Sequence, residues 1–210
     1  MSKIQEVKAM VEGGKAKIIP GVVQEALDEG NSVDTVLQAM IDSMSVVGNK
    51  FSTGEMFVPE MLMAAKAMSK GMDVLKPLLS GESTASLGKC VIGTVEGDLH
   101  DIGKSLVAMM MESTGFDVVD LGVDVPAAKF VEAVKENENV TLVACSGLLT
   151  TTMPAMKETV QLLKSSGLTG IKVMVGGAPV TMEYAEAIGA DGFAADAGSA
   201  AEKAKELVTT

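Results

Sequence analysis

Hydrophobic positions recur every three to four residues along the first part of the chain. Four segments show this helical spacing: KIQEVKAMV, GVVQEALDEG, SVDTVLQAMIDSMSVVGNKF and VPEMLMAAKAMSKGMDVLKPLL. This spacing places apolar side chains on one face of a helix. Ser32 or Asp34 is suited to cap the third helix, and Pro59 fits the first turn of the fourth. The pattern predicts an N-terminal four-helix bundle.

From Lys89 onwards, apolar runs of strand length alternate with helix-length amphipathic segments. The strand-like runs are CVIGTV (90–95), DVVDLG (117–122), VTLVACSG (140–147), IKVMVGG (171–177) and DGFAAD (191–196). The helix-like segments are 101–114, 126–136, 152–165, 181–188 and 198–207. Five βα repeats predict a C-terminal α/β Rossmann-like (flavodoxin-like) domain, with a five-stranded parallel sheet and helices on both faces.

The change of period predicts two domains, joined through the Ser- and Gly-rich stretch SGESTASLGK. We place the helical domain at 1–82, the linker at 83–88 and the α/β domain at 89–210. Ligands of parallel α/β sheets bind beyond the carboxyl ends of the strands. The segments EGDLHD, CSGLLT, VGGAPVT and ADAGSA all follow strand-like runs and are therefore expected on one rim.

Charge and composition exclude several classes of partner. The formal net charge is -11, and every basic residue is a lysine. Arginine is the preferred side chain for bidentate contacts to phosphate and guanine, so this composition argues against nucleic-acid binding. No apolar run reaches the roughly 18 residues that span a bilayer, and the N-terminus lacks the apolar core of a signal peptide. We expect a cytoplasmic protein without a membrane partner.

Cys90 and Cys145 both lie in strand-like apolar runs. Cysteines in such positions are more often buried thiols than partners in a disulfide. Their spacing does not match that of metal ligands. We interpret both as structural.

The only histidine, His100, lies in the rim segment EGDLHDIGKSL. Neutral imidazole is a common metal ligand, and Asp98 is placed to accept its second ring N–H. One histidine cannot build a zinc site, so most of the coordination of a metal would come from elsewhere, such as a macrocycle. The alternative is a loop histidine that only forms hydrogen bonds. For Thr150, Thr151 and Thr152, which follow the third strand, the alternative is ordinary helix N-capping.

Three spaced motifs carry a resemblance to a known family. The motifs GDLHDIG (97–103), SGLLTTT (146–152) and VGGAPVT (175–181) resemble the cobalamin-binding signature D-x-H-x-x-G, S-x-L and G-G. The segment NKFSTGEMFVPEMLMAA (49–65) resembles the helical cap of the methyltransferase branch of that family. Over nearly its whole length the chain is similar to the corrinoid proteins of methanol, methylamine and methoxyaromatic methyltransferase systems, and to the cobalamin-binding fragment of methionine synthase.

The resemblance implies a cobalamin cofactor bound base-off/His-on, with His100 as the axial ligand of cobalt. Asp98 would be the partner of the histidine. Thr152 stands where methionine synthase has a serine, which leaves a hydroxyl for the same hydrogen-bonded group. The remaining residues implied in cofactor binding are Gly97, Leu99, Asp101, Ile102, Gly103, Ser146, Leu148, Thr150, Gly176, Gly177 and Ala197.

The resemblance also implies a cap over the upper face of the corrin ring, formed by Phe51, Phe57 and Val58. Methionine synthase has a leucine at the place of Val58. The alternative interpretation is that these three residues belong to the ordinary core of the helical bundle.

In function, the resemblance implies a methyl carrier without catalytic residues of its own, because no catalytic barrel is present. It would receive a methyl group from a substrate-specific methyltransferase and present it to an acceptor methyltransferase that acts on tetrahydrofolate or a thiol. A corrinoid-reactivating protein is a further implied partner. Methanol, methylamines and methylated aromatic ethers remain open as donors, and overall resemblance favours the ethers, hence an O-demethylase.

Two other functions share the histidine motif. A cobalamin-dependent sensor or regulator has a similar arrangement, but this chain has no basic helix of the kind that binds DNA. A cobalamin-binding module of an adenosylcobalamin mutase would have a barrel over the cofactor in place of the helical cap.

Overall fold

The computed structural model describes residues 2–78 and 87–209, which divide into two compact units. Residues 2–78 with Ser113–Gly115 form the first, and the rest of 87–209 forms the second. The predicted linker, 83–88, lies outside the described residues except for Leu87 and Gly88. The carbonyl of Leu87 accepts a hydrogen bond from the Thr141 hydroxyl at 2.8 Å. None of the helices in the described ranges is long and apolar enough to cross a membrane.

The first unit consists of four helices, as the periodicity predicts. They are α1 (Lys3–Glu12), α2 (Ile19–Asp28), α3 (Val33–Ser52) and α4 (Val58–Leu75), followed by a 3-10 turn at Lys76–Leu78. α1 packs on α2 and α3, and α4 packs on the same two helices. Ser32 caps α3 by accepting a hydrogen bond from the Thr35 N–H, and Pro59 lies in the first turn of α4. The core contains four fully buried methionines, Met40, Met44, Met61 and Met68.

The second unit is a doubly wound α/β domain with five parallel strands, which confirms the predicted fold class. The strands are β1 (Lys89–Thr94), β2 (Asp117–Asp120), β3 (Val140–Ser146), β4 (Lys172–Gly176) and β5 (Gly192–Ala194). The helices are α5 (Ile102–Ser113), α6 (Ala127–Glu136), α7 (Met153–Ser165), α8 (Met182–Ile188) and α9 (Ala197–Thr209). A 3-10 turn at Thr150–Thr152 precedes α7.

Side chains alternate between the two faces of this sheet and build two cores. One face packs with residues of α6, α7 and α8 and includes Val91, Val143 and Val173. The other packs with residues of α5 and α9 and includes Ile92 and Leu142. This two-sided burial explains why the strands read as continuous apolar runs.

Both cysteines are buried free thiols, as expected. Burial raises the pKa of the Cys145 thiol to about 12 and raises that of Cys90 as well. Neither thiol is therefore poised to react at neutral pH.

Candidate functional site

The strand order is β2-β1-β3-β4-β5, so the winding direction reverses between β1 and β3. Ligands of doubly wound sheets bind at this switch point, beyond the carboxyl ends of the strands. Ser146 at the end of β3 pairs with Thr94 of β1 and with Gly176 of β4. The loop that carries His100 follows β1, and the turn at 147–152 follows β3. The topology therefore brings both segments to the switch point.

Asp98 is the centre of a hydrogen-bonded network at this point, and its side chain is fully buried. Its Oδ1 lies 2.7 Å from His100 Nδ1 and accepts the His100 backbone N–H at 3.0 Å. Its Oδ2 accepts the backbone N–H groups of Leu148 at 2.6 Å and Leu149 at 3.2 Å. The Thr152 hydroxyl lies 3.2 Å from the same oxygen. One carboxylate thus joins two segments that are far apart in the sequence.

The network keeps Asp98 ionised. Burial by itself would raise the pKa of this carboxyl, but the N–H donors of Leu148, His100 and Leu149 and the His100 ring outweigh burial and hold its pKa well below the usual range. An ionised carboxylate is only an acceptor, so it favours the tautomer with the proton on Nδ1. Within residues 2–78 and 87–209 no group bonds to Nε2, and the His100 side chain is 52% exposed. The imidazole therefore offers a free Nε2 lone pair to a ligand.

The low pKa of Asp98 predicts a specific pH dependence of stability. A depressed pKa stabilises the fold above the unfolded-state value of about 4, and this contribution is lost progressively as pH falls from there through the lower folded-state pKa. We expect Asp98→Asn to reduce the free energy of unfolding of the apo-protein at pH 7 by about 1–3 kcal/mol, because an amide cannot accept from every donor present. The difference from wild type should shrink below about pH 4.

Denaturant unfolding of wild type and variant at pH 7 and at about pH 2 measures this difference in the free energy of unfolding. Amide exchange then assigns the change to the α/β unit. Asp101→Asn, the same change at an exposed neighbour, is the control. A wild-type-to-variant difference that is equal at both pH values would contradict the ionised, buried state of Asp98.

Large exposed apolar side chains lie on the two segments that the Asp98 network joins. Leu99 is 72% exposed and Ile102 is 78% exposed. Leu148 and Leu149, whose N–H groups bind Asp98, are also exposed. Exposed apolar patches on a folded domain mark binding surfaces. This patch suits a large, flat and partly apolar ligand above the imidazole.

The other predicted site residues lie around the same rim. Gly97, Asp101, Gly103 and Thr150 are exposed, Ser146, Gly176 and Gly177 are half-buried, and Ala197 is buried at the start of α9. Gly177 has a φ of +127°, and a Cβ there would lie 1.8 Å from the Gly147 carbonyl oxygen. Only glycine allows the β4 loop to approach the β3 loop this closely.

The N-capping interpretation of Thr150–Thr152 is wrong. Thr152 occupies the N-cap position of α7, but its side chain makes no capping hydrogen bond. Its hydroxyl lies 2.9 Å from the Leu149 carbonyl and 3.2 Å from Asp98 Oδ2. Thr152 has a helical backbone conformation (φ -99°, ψ 0°) instead of the extended one that is typical of an N-cap, and its oxygen accepts none of the first N–H groups of the helix.

The bundle-core interpretation of the predicted cap residues is also wrong for two of the three. Phe57 is 70% exposed and Val58 is 38% exposed, whereas Phe51 is half-buried. The first two therefore present apolar surface on the helical unit.

Sequence reasoning missed three polar residues near the histidine loop. Lys104 is buried and pairs with Asp120, and the Asp124 side chain accepts the Gly97 backbone N–H at 2.7 Å. Both aspartates belong to the end of β2 and the loop after it, which the predicted rim omitted. The signal was the strand DVVD followed by LGVDVP, since the carboxyl end of β2 must lie on the same rim as the others.

The donor set limits the metals that fit. Among the described residues, no group of three His, Cys, Asp or Glu side chains is placed to hold a metal ion. The site offers one imidazole, oriented by a carboxylate, inside an apolar surround. Such a site fits a metal whose other coordination positions are filled by a macrocycle.

Comparison with known proteins finds a B12 binding domain in each of the two units. Residues 88–208 match the model of one B12 binding domain, and residues 4–76 match the model of another. The chain is 42% identical over 207 residues to dimethylamine corrinoid protein 1 of Methanosarcina acetivorans, covering 98% of this chain and 97% of that protein.

Two solved structures are also similar. A cobalamin-binding protein from Desulfitobacterium hafniense DCB-2 has a TM-score of 0.83 and 34% identity, covering 97% of this chain and 98% of the other. The methanol:cobalamin methyltransferase complex MtaBC from Methanosarcina barkeri has a TM-score of 0.82 and 29% identity, covering 99% of this chain and 80% of the other.

Proposed function

The chain belongs to the family of B12-binding corrinoid proteins, and from that premise we propose that it carries a methyl group from a substrate-specific methyltransferase to an acceptor methyltransferase. Its cofactor is a corrinoid of the cobalamin type. When bound, this cofactor supplies a cobalt centre that accepts a methyl group and gives it up. The observation that carries the proposal is the exposed imidazole of His100, held by a buried carboxylate at the switch point of the sheet.

His100 would hold the cobalt through Nε2. Asp98 fixes the ring by accepting a hydrogen bond from the Nδ1–H group, and the backbone donors of Leu148 and Leu149 keep Asp98 in place. A hydrogen-bonded carboxylate raises the basicity of a ligating imidazole. The protein therefore adjusts ligand strength through groups that never touch the metal.

The rim glycines would leave room for the nucleotide tail of the cofactor. Ser146, Thr150 and Ala197 are the further residues that we place along it. The position of Gly176 supports this role, because it pairs with Ser146 at the carboxyl end of β3, beside the switch point. Leu99, Ile102 and Leu148 would cover apolar parts of the corrin and exclude water from the imidazole.

The named relatives bear on the methyl donor. The relative of 42% identity is a dimethylamine corrinoid protein, and the MtaBC structure is a methanol:cobalamin methyltransferase complex. We therefore place methylamines first among donors, ahead of methanol. Methylated aromatic ethers, which the sequence favoured, stay a prediction, as do a tetrahydrofolate or thiol acceptor, a reactivating protein and a cytoplasmic location.

Methyl loading tests the proposal. The reduced holoprotein would be mixed separately with dimethylamine, methanol and a methoxyaromatic methyltransferase, each with its own substrate, and methylation followed by absorbance. Free cobalamin with the same enzymes is the control. We expect methylation of the protein-bound corrinoid with at least one donor, at a rate above that of free cobalamin. Absence of loading with all three would favour a sensor or a mutase module.

We further propose that Phe51, Phe57 and Val58 cover the upper face of the bound corrinoid. The exposure of Phe57 and Val58 supports this role, because it leaves their side chains available to a ligand. We expect Phe57→Ala to speed photolysis of the methylated holoprotein while changing stability by less than about 0.5 kcal/mol, as is usual for an exposed position.

Photolysis rates under one lamp measure the effect of Phe57→Ala. Ile18→Ala, which removes another exposed apolar side chain from the helical unit, is the matched control. The cap proposal fails if the two variants photolyse at the same rate as wild type.

A further inference from the structure

The loop between β2 and α6 has an unusual backbone conformation at Asp124. Its φ is +54°, in the left-handed region, and among the described residues Asn139 is the other non-glycine with positive φ. Asp and Asn are the non-glycine residues that enter this region most often. Such conformations persist where the surroundings hold them, and they cluster at functional sites.

Asp124 binds the loop that carries the histidine through both its side chain and its backbone N–H. Its Oδ1 accepts the Gly97 backbone N–H at 2.7 Å, and its own backbone N–H donates to the Asp98 carbonyl at 2.9 Å. Gly97 has a φ of +83°, so this part of the loop is also in a left-handed conformation. Asp124 thus clamps the peptide that leads directly into the Asp98 carboxylate.

The loop that carries Asp124 is itself held by hydrogen bonds to neighbouring elements. Gly122 lies two residues before Asp124, and its carbonyl accepts the Thr94 N–H of β1 at 3.0 Å, while the Val125 N–H donates to the Thr94 carbonyl at 3.0 Å. At the end of β2, Asp120 accepts the Gly122 N–H at 2.8 Å and pairs with the buried Lys104. The β2–α6 loop is therefore bonded to β1 on both sides of Asp124 and to α5 at the end of β2.

We propose that Asp124 is a positioning residue for His100. It holds the backbone of Gly97 and Asp98, and this backbone fixes the position of the Asp98 carboxylate. The carboxylate in turn selects the Nδ1–H tautomer, which leaves Nε2 for cobalt. The inference rests on the proposed function, in which His100 ligates the cobalt. Asp124 itself touches neither the ring nor the metal.

Four substitutions separate the side-chain hydrogen bond from the backbone conformation. Asp124→Gly keeps the left-handed conformation accessible and removes the acceptor, whereas Asp124→Asn keeps both. Asn139→Gly makes the matched change at the other left-handed residue, before β3 and at the opposite end of that strand from the rim. Asp124→Ala, which also removes the acceptor, carries the same expectation if the glycine variant does not fold.

Two readouts follow the position of His100. In the apo-protein labelled with 15N-histidine, the two ring nitrogen shifts report the tautomer of the single histidine at pH 7.5. In the holoprotein, affinity for cobalamin and the nitrogen splitting of the cobalt(II) electron paramagnetic resonance spectrum report ligation. We expect Asp124→Gly to lose the single tautomer and to weaken cobalamin binding about 10- to 100-fold, as changes behind a metal ligand do. Asp124→Asn and Asn139→Gly should resemble wild type.

The inference is overturned if Asp124→Gly matches Asn139→Gly in both readouts. His100→Ala, measured in parallel, keeps this failure distinct from failure of the proposed function. If His100→Ala loses the nitrogen splitting while Asp124→Gly behaves as wild type, the ligand assignment stands and only the role of Asp124 is wrong. If labelling with 15N-histidine leaves the splitting of the wild-type protein unchanged, the ligand assignment fails and the inference fails with it.

Discussion

Replacing His100 with alanine should remove the nitrogen splitting from the cobalt(II) spectrum of the holoprotein and weaken corrinoid binding by more than about 100-fold, beyond the usual effect of a group that only supports a ligand. The chain has no second histidine to take its place. The fold should survive, because Asp98 keeps its backbone donors from Leu148 and Leu149 and the hydroxyl of Thr152.

Chemical rescue makes this prediction stricter. The alanine variant leaves a space beside Asp98, and added imidazole should occupy it and restore part of the nitrogen splitting. Leu106→Ala, a substitution on α5 beyond the histidine loop, is the control for general loss of packing. A His100→Ala protein with wild-type affinity would show that the protein binds the corrinoid without this ligand.

Replacing Gly177 with alanine should disrupt the α/β unit. The new Cβ would lie 1.8 Å from the Gly147 carbonyl oxygen and 2.8 Å from its carbonyl carbon, and both are backbone atoms that cannot rotate away. The φ of +127° is also strained for any residue with a Cβ. We expect a loss of more than about 4 kcal/mol in the free energy of unfolding, which is in the exceptional range for one substitution.

The same substitution should abolish corrinoid binding in any protein that remains folded. Gly147 directly precedes Leu148 and Leu149, whose N–H groups hold Asp98. Displacing Gly147 would move these donors and with them the carboxylate behind His100. The steric overlap at Gly177 should therefore reduce both the free energy of unfolding and the affinity for the corrinoid.

Gly189→Ala is the matched control for Gly177→Ala. Gly189 has a φ of +84°, but a Cβ there meets nothing within 4 Å, so its cost is limited to about 1–2 kcal/mol of backbone strain. Amide exchange of β3 and β4 separates unfolding of this unit from that of the helices. Equal losses for the two variants would mean that the β4 and β3 loops are not as close as described.

The sequence predicted the elements well because local periodicity decides them. β3, predicted at 140–147, spans Val140–Ser146, and α6, predicted at 126–136, spans Ala127–Glu136. The contact between Asp98 and His100 was also predictable, because the two residues are two positions apart on one loop. Strand order, by contrast, cannot be read from periodicity, and it is strand order that places the end of β2 beside β1.

The features that local sequence patterns did not reveal depend on distant contacts or on exposure. Thr152 lies 54 residues from Asp98 and joins its network only after β3 pairs with β1, so the family resemblance and not the local pattern predicted this hydroxyl. Val58 begins α4 and Phe57 directly precedes it, and hydrophobicity alone does not separate a buried apolar side chain from an exposed one. The role of Asp124 required its φ and two hydrogen bonds, none of which has a sequence signal.

The single histidine allows a direct test of the central claim, that His100 holds the cobalt of a carried corrinoid. Protein labelled only with 15N-histidine, reconstituted with cobalamin and reduced to cobalt(II), carries its label at His100 and nowhere else. If His100 is the axial ligand, each three-line splitting from 14N in the electron paramagnetic resonance spectrum becomes a two-line splitting from 15N. If the three-line pattern persists in the labelled protein, a different nitrogen holds the cobalt and the account of this site is wrong.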